Sequence, residues 1–219
     1  MAGDHVPVLV ADEALPNTDA LTRAARAADY AVNGPYYPGV RAPAPTGYAQ
    51  MLASSLLGPL RRLFGWGEAD RAEVMTSDFS LVTTRPDALI PMQRMPHYDG
   101  TDTGVVAVLH YLCGPEHGGT SFFRHKETGF ELITEERLPA YERALERGVA
   151  EHGLPVARYT EDGGPLFERT ATHDCRFNRL LVYPGACLHS GRIPENHPLS
   201  EDPMKGRLTA NTFLRRVPA

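Results

Sequence analysis

Apolar and polar positions follow two different rhythms along this chain, and the change falls near Gly67. Before it, an apolar run at 6–10 reads as a short strand. Leu15, Pro16, Asn17, Thr18 and Asp19 then offer capping oxygens and early negative charge, ahead of an alanine-rich run to about Ala31 that predicts a helix. The stretch 33–45 carries Pro35, Pro38, Pro43 and Pro45 and reads as a loop with ordered turns, whose Tyr36–Tyr37 pair can pack over a pocket. Residues 47–64 have helical composition, with an interruption at Gly58–Pro59 because proline has no amide hydrogen to donate.

After Gly67 the pattern becomes that of strands bounded by turn residues such as Asp99–Gly100 and Gly118–Gly119. Strands are predicted at 74–84, 90–97, 104–113 and 120–124, then a charged helix at 134–151, then strands at 176–183 and 207–217. There is no repeat and no low-complexity segment. Helices first, followed by a strand-rich half with one helical insertion, predict one mainly β domain with flanking α-helices. Such helices would pack around a curved antiparallel sheet or a double-sheet barrel.

Composition narrows the partners. A chain of 219 residues can bury a substantial single core, and 42% hydrophobic with 22% charged residues is ordinary for a globular domain. Lys and Arg total 22 against 27 acidic residues, a formal charge of −5 that argues against nucleic acid or an anionic membrane surface as an obligate partner. Cys113, Cys175 and Cys187 form no CxxC pair, which points to reduced thiols and a cytoplasmic setting. No basic segment followed by a sustained apolar run opens the chain, so no secretory signal is expected. The most apolar stretch, 105–113, contains His110 and is too short to span a bilayer. The expected partner is a small-molecule substrate.

The chemistry is concentrated in His97-Tyr98-Asp99 and in His189, with Arg207-Leu208-Thr209 further on. Side chains at i and i+2 of a strand share a face, so His97 and Asp99 can converge on one ion. His189 follows Tyr183-Pro184-Gly185, which ends an apolar strand, and can return across the sheet to complete the set. Two imidazoles and one carboxylate are the facial ligand set of a non-haem ferrous ion, with three positions left open. The same residues also fit a surface turn before Gly100 and a buried structural histidine. Zinc is the rival metal, but no HExxH helix is present and no glutamate stands beside the histidines as a base.

Arg207 and Thr209 share a face by the same rule, with Asn211 and Phe213 beyond them. A guanidinium fork and a hydroxyl can clamp a carboxylate. The alternative is a surface arginine on an edge strand, which is how Arg215 and Arg216 read. Arg94, Arg124 and Arg192 read singly as solvated charges, His110 as a hydrogen-bonded core histidine, and Cys187 as a small packed residue. His117, His125 and His173 lack ligand spacing.

Three segments together resemble the Fe(II)/2-oxoglutarate-dependent dioxygenases, within them the prolyl-4-hydroxylase-like branch. They are HYDG at 97–100, VVAVLHYLCGPEHGGTSFF at 105–123, and NRLLVYPGACLHSG followed by GRLTANTFL at 178–214. The resemblance implies a double-stranded β-helix, the jelly roll of cupin-like proteins. Residues 1–67 would form a helical support on the substrate side, and 68–219 the core with an insertion at about 131–158. It implies that His97, Asp99 and His189 bind iron, that Arg207 and Thr209 bind the distal carboxylate of 2-oxoglutarate, and that Tyr111 lies near that carboxylate. The implied reaction uses O2, releases succinate and CO2, and hydroxylates an unactivated C–H bond of an amino-acid-like or natural-product molecule. A peptide or carrier-bound substrate, or desaturation or cyclisation, would need no different ligand set. Related halogenases lack the carboxylate, so Asp99 argues against halogenation. A jelly-roll module that binds metal without turnover would keep the ligands and need no Arg207 clamp. In the family the arginine follows the distal histidine more closely than here. The excess is the loop IPENHPLSEDPMKG at 193–206, which is expected to bulge outward.

Overall fold

A computed structural model of the chain describes residues 4, 6–195 and 198–219. In chain order it comprises β1 (Leu9–Ala11), α1 (Asp19–Ala27), β2 (Gly39–Pro43), α2 (Thr46–Ser55), α3 (Leu57–Phe64), β3 (Arg71–Val82), β4 (Val105–Tyr111) and β5 (Gly119–His125). Then follow α4 (Leu138–His152), β6 (Phe167–Asp174), β7 (Arg179–Pro184), β8 (His189–Arg192) and β9 (Leu208–Val217). The strands form two antiparallel sheets, a large one in the order β1-β7-β4-β9-β3-β2 and a small one in the order β6-β5-β8. This is the mainly β, jelly-roll-like architecture that the sequence predicts.

The central strand shows why it reads as an unbroken apolar run. In β4, Val106 and Val108 face outward into a core shared with Leu21, Leu52, Leu56 and Leu60 of the N-terminal helices. Ala107, Leu109 and Tyr111 face inward, packing with Phe122, Leu181 and Tyr183 between the two sheets. Both faces of β4 are therefore buried, and polar alternation disappears. A third core, with Phe123, Ile133, Leu166 and Leu188, fixes α4 against the outside of the small sheet through Tyr141.

Several elements differ from the expected ones for identifiable reasons. The expected loop 33–45 contains β2, because Pro38 and Pro43 only flank or end the strand while Arg41 and its neighbours pair with β3. The expected strand at 90–97 is a 3₁₀ turn at Pro91–Arg94: Pro91 starts it and the Gln93 side chain accepts the Ile90 N–H at 3.0 Å. The helix break falls at Leu56, ahead of Pro59, which occupies the first turn of α3. The first helix ends at Ala27, earlier than expected. β6 and β8 were not predicted; both are exposed or short, with weak apolar patterning. The Gly118–Gly119 turn is sterically required. Gly118 has φ +86°, and a Cβ there would lie 1.9 Å from the Arg192 carbonyl oxygen.

His110 behaves as a core histidine. The Tyr48 hydroxyl donates to its Nδ1 at 2.9 Å, and its Nε2–H donates to Asn178 Oδ1 at 3.0 Å, tying α2 to the sheet. Burial holds its pKa down to about 4, below the ordinary 6.5. Between these values the unfolded chain binds a proton that the folded chain does not, so stability is full above pH ~6.5 and declines as pH falls towards ~4. The His110 share is about 3 kcal/mol over that window. Chemical denaturation at several pH values should therefore give a shallower loss in His110→Asn than in wild type. Parallel slopes would show that this histidine does not titrate across unfolding.

Candidate metal centre

His97 and His189 are held by backbone. Each donates its N–H to the other's carbonyl, at 2.9 and 2.8 Å, so the 97 segment joins the outer edge of β8 as a one-residue strand. Directly opposed residues of an antiparallel pair project to the same face. Their rings accordingly lie 4.5 Å apart between centroids. Asp99 is fixed separately, its N–H donating to the Gly185 carbonyl at 2.8 Å. The predicted strand that was to present His97 and Asp99 is thus replaced by a single bridge on β8 and a second anchor on the end of β7.

One ligand atom from each of His97, Asp99 and His189 lies within 4.8 Å of the other two. The His189 Nδ1–H donates to the Cys187 carbonyl at 3.0 Å, which leaves Nε2 as the free nitrogen, 3.6 Å from Asp99 Oδ2. A backbone partner on the far nitrogen orients a histidine for metal ligation. Cys187 therefore contributes its carbonyl, and its free thiol is buried in the core between the sheets. His97 and Asp99 expose surface, yet protein surrounds both; that surface is the lumen of a cavity rather than bulk water. Burial, then the neighbouring His189 and Arg41, lowers the His97 pKa to about 3, so its imidazole stays neutral as a ligand must. Burial raises the Asp99 pKa, partly offset by His189 and Arg41. A bound cation would reverse that rise.

The cavity measures about 830 Å³ and is lined by all three residues, with Arg207, just ahead of β9, and Thr209, Asn211 and Phe213 of β9 on one wall. Arg207 is buried, its Nη2 donates to the Gly119 carbonyl at 2.8 Å, and its Nε has no hydrogen-bond partner. Asn211 Oδ1 is likewise buried and unpartnered. Such orphaned polar atoms facing a cavity suit a polar ligand. The connection 193–206 re-enters at Gly206, where the N–H donates to the Asp202 carbonyl, and delivers Arg207 to the cavity; Asn196 and His197 lie outside the described residues. Tyr111 does not line the cavity. It stands behind the site, with its ring 5.7 Å from the Arg207 guanidinium carbon and its hydroxyl 2.6 Å from Thr120 Oγ1.

The other candidates fall elsewhere. Arg124 pairs with Glu131 and Glu168, Arg192 with Asp174, and Arg94 donates to the Leu89 and Pro155 carbonyls. Arg215 and Arg216 are half-exposed beside Glu73 and Asp70. The Tyr36–Tyr37 pair does reach the cavity, and α4 supplies Tyr141, Glu142 and Leu145 to its wall. The 131–158 insertion is therefore part of the site. Arg41, Met95, Tyr98 and Tyr159 are cavity residues that sequence reasoning missed. Alternation across Gly39 to Pro43 was the available signal for Arg41, hidden by the flanking prolines.

A double-stranded β-helix with a His–Asp–His cluster inside its barrel is the class that fold and site define. Residues 1–214 match the family of unknown function DUF6445, and the chain belongs to that family. No protein of curated function matches it in sequence. Among solved structures it is similar to HygX from Streptomyces hygroscopicus with nickel and 2-oxoglutarate bound, at 16% identity and TM-score 0.50, over 96% of this chain and 83% of that one. The iron-bound form of HygX gives 14% identity and TM-score 0.46 over 96% and 82%. At 16% identity the first of these likenesses concerns the fold alone. Among the described residues no helix is long and apolar enough to cross a membrane.

If the cluster is a metal centre, calorimetry should show wild type taking up one equivalent of Co(II), with stoichiometric binding abolished in His97→Ala and His189→Ala. Undiminished uptake by a folded His189→Ala would place the metal elsewhere.

Proposed function

We propose that this chain is an Fe(II)- and 2-oxoglutarate-dependent oxygenase of the prolyl-4-hydroxylase-like branch. It hydroxylates an unactivated C–H bond of a small amino-acid-like or natural-product molecule, using O2 and releasing succinate and CO2. One observation carries the reading: the three ligand atoms and the Arg207–Thr209 pair open into the same cavity. HygX, on a similar fold, was solved with 2-oxoglutarate bound.

The residues present fit both groups. His97, Asp99 and His189 would hold a ferrous ion by one face, and Arg207 with Thr209 would hold the distal carboxylate of the cosubstrate. Iron with 2-oxoglutarate supplies the oxidising power for C–H cleavage. The protein's own work is placement. Tyr111 supports Arg207 from behind, so the guanidinium is set before a ligand arrives. Tyr183, its ring 4.8 Å from that of His189, and Phe122 wall off one side of the cluster and limit water there. The cavity volume is within the ~300–1,000 Å³ of small-molecule sites, which favours a small substrate.

Anaerobic titration of the Fe(II) protein with 2-oxoglutarate, followed by the visible charge-transfer band, tests this directly. Wild type should develop the band and His189→Ala should not. Arg207→Ala should lose about 2 kcal/mol of a charge-assisted contact, raising the cosubstrate requirement roughly 30-fold. No band in folded, iron-loaded wild type would favour a metal-binding jelly-roll module without turnover.

A further inference from the structure

Two guanidinium groups line the cavity among the described residues, and the proposed chemistry uses only Arg207. Arg41 is the other. Strand register puts it on the same inward face: Arg41 pairs with Ser80 on β3, and Ser80 with Thr209 on β9. Two strand spacings, roughly 10 Å, therefore separate it from Thr209 along the sheet. Tyr37 stands between the two guanidinium groups, and both act on its hydroxyl.

No ion pair holds the Arg41 charge, although Asp78, two residues from Ser80 on the same face of β3, acts on it from beyond ion-pair distance. The guanidinium carbon sits 4.3 Å from the centroid of the Tyr37 ring, which orients its plane without neutralising it. Its Nε is buried and has no hydrogen-bond partner, and among the described residues no carboxylate lies within ion-pair distance. By contrast, Arg137 is paired with Asp4 and Arg179 with Asp12. An unpaired cation on a low-dielectric wall is costly unless a ligand supplies its counter-ion. Arg41 is close enough to the ligand cluster that its charge acts on both His97 and Asp99. A ferrous ion and Arg207 would match Asp99 and the cosubstrate's two carboxylates, and Asp78 makes no ion pair with Arg41, so Arg41 can take a further anion at contact distance.

We propose that Arg41 binds a carboxylate of the primary substrate, which makes the substrate a small organic acid with an apolar body. A single planar fork suits a carboxylate; a phosphate dianion would call for more cationic partners. Met95, Tyr98, Tyr141 and Leu145 line the same cavity and provide the apolar contact. The inference rests on the reading that Arg207 holds the cosubstrate.

The test compares an acid with its neutral analogue, 4-phenylbutyrate against 4-phenylbutyramide, by calorimetry and ligand-observed NMR on protein loaded anaerobically with Fe(II) and 2-oxoglutarate. The acid should bind wild type roughly tenfold more tightly than the amide, and Arg41→Gln should bring the two within about twofold. Arg41→Lys should retain part of the preference. Equal binding of acid and amide to wild type overturns the proposal, as does an acid preference that survives Arg41→Gln. A 2-oxoglutarate requirement raised by Arg41→Gln as much as by Arg207→Gln would also overturn it, making Arg41 the cosubstrate anchor. If 2-oxoglutarate does not bind wild type at all, the oxygenase reading fails separately. The acid–amide comparison on metal-free protein then decides for Arg41: preference lost in Arg41→Gln and kept in Arg207→Gln supports it, and the reverse contradicts it.

Discussion

The reciprocal pair of backbone hydrogen bonds between His97 and His189 is the constraint on which the site depends. It joins two segments ninety-two positions apart and makes them directly opposed residues of one antiparallel pair. Side-chain direction follows from that register with no further choice, since a slip of one residue would turn an imidazole to the other face of the sheet. β8 is itself held on its other edge by β5, where His189 opposes Phe122. The geometry of the His–Asp–His cluster therefore follows from backbone pairing, with His97 and His189 set by the strand register.

The same economy runs through the wall opposite. The inward positions of β9, Thr209, Asn211 and Phe213, alternate with Ala210, Thr212 and Leu214, and Ala210 and Leu214 belong to the core beneath the N-terminal helices. One strand thus anchors the helical layer on one face and lines the cavity on the other. α4 packs on the small sheet through Tyr141, whose ring meets that of Tyr98 nearly perpendicularly, with centroids 6.0 Å apart. Gln93 donates to the Pro35 and Tyr36 carbonyls, and Arg94 to those of Leu89 and Pro155. These polar ties join three connecting segments that also share an apolar cluster of Tyr37, Leu89 and Tyr159.

Much of this was legible in the chain because it depends on local pattern. The strands β4, β7 and β9 announce themselves by apolar runs, and His97, Asp99, His189, Arg207 and Thr209 by spacing on or beside strands. What stayed hidden depends on long-range pairing. Residues 90–97 have strand-like composition, but Pro91 and the Gln93 side chain turn the backbone into a 3₁₀ segment. β2 lies between prolines, and its strand character comes from five pairings with β3 that local sequence does not encode. Arg41 was missed because the flanking prolines hide the short alternation of β2 and its pairing with β3 is long-range. Tyr111 was expected near the cosubstrate carboxylate; β4 places its ring behind the Arg207 guanidinium, away from the cavity lining. The role of the 131–158 insertion could not be read from its charged helix, because the apolar stripe that meets the small sheet also carries Leu145 and Tyr141 to the cavity.

The central claim is that one ion sits among His97, Asp99 and His189 with the cosubstrate between it and Arg207. A crystal structure grown anaerobically with Mn(II) and 2-oxoglutarate, read by anomalous scattering at the manganese edge, tests it most directly. The account predicts a single strong peak within bonding distance of all three side chains, and the distal carboxylate of 2-oxoglutarate on Arg207 and Thr209. A peak elsewhere, or a cosubstrate whose distal carboxylate lies on Arg41, would contradict it.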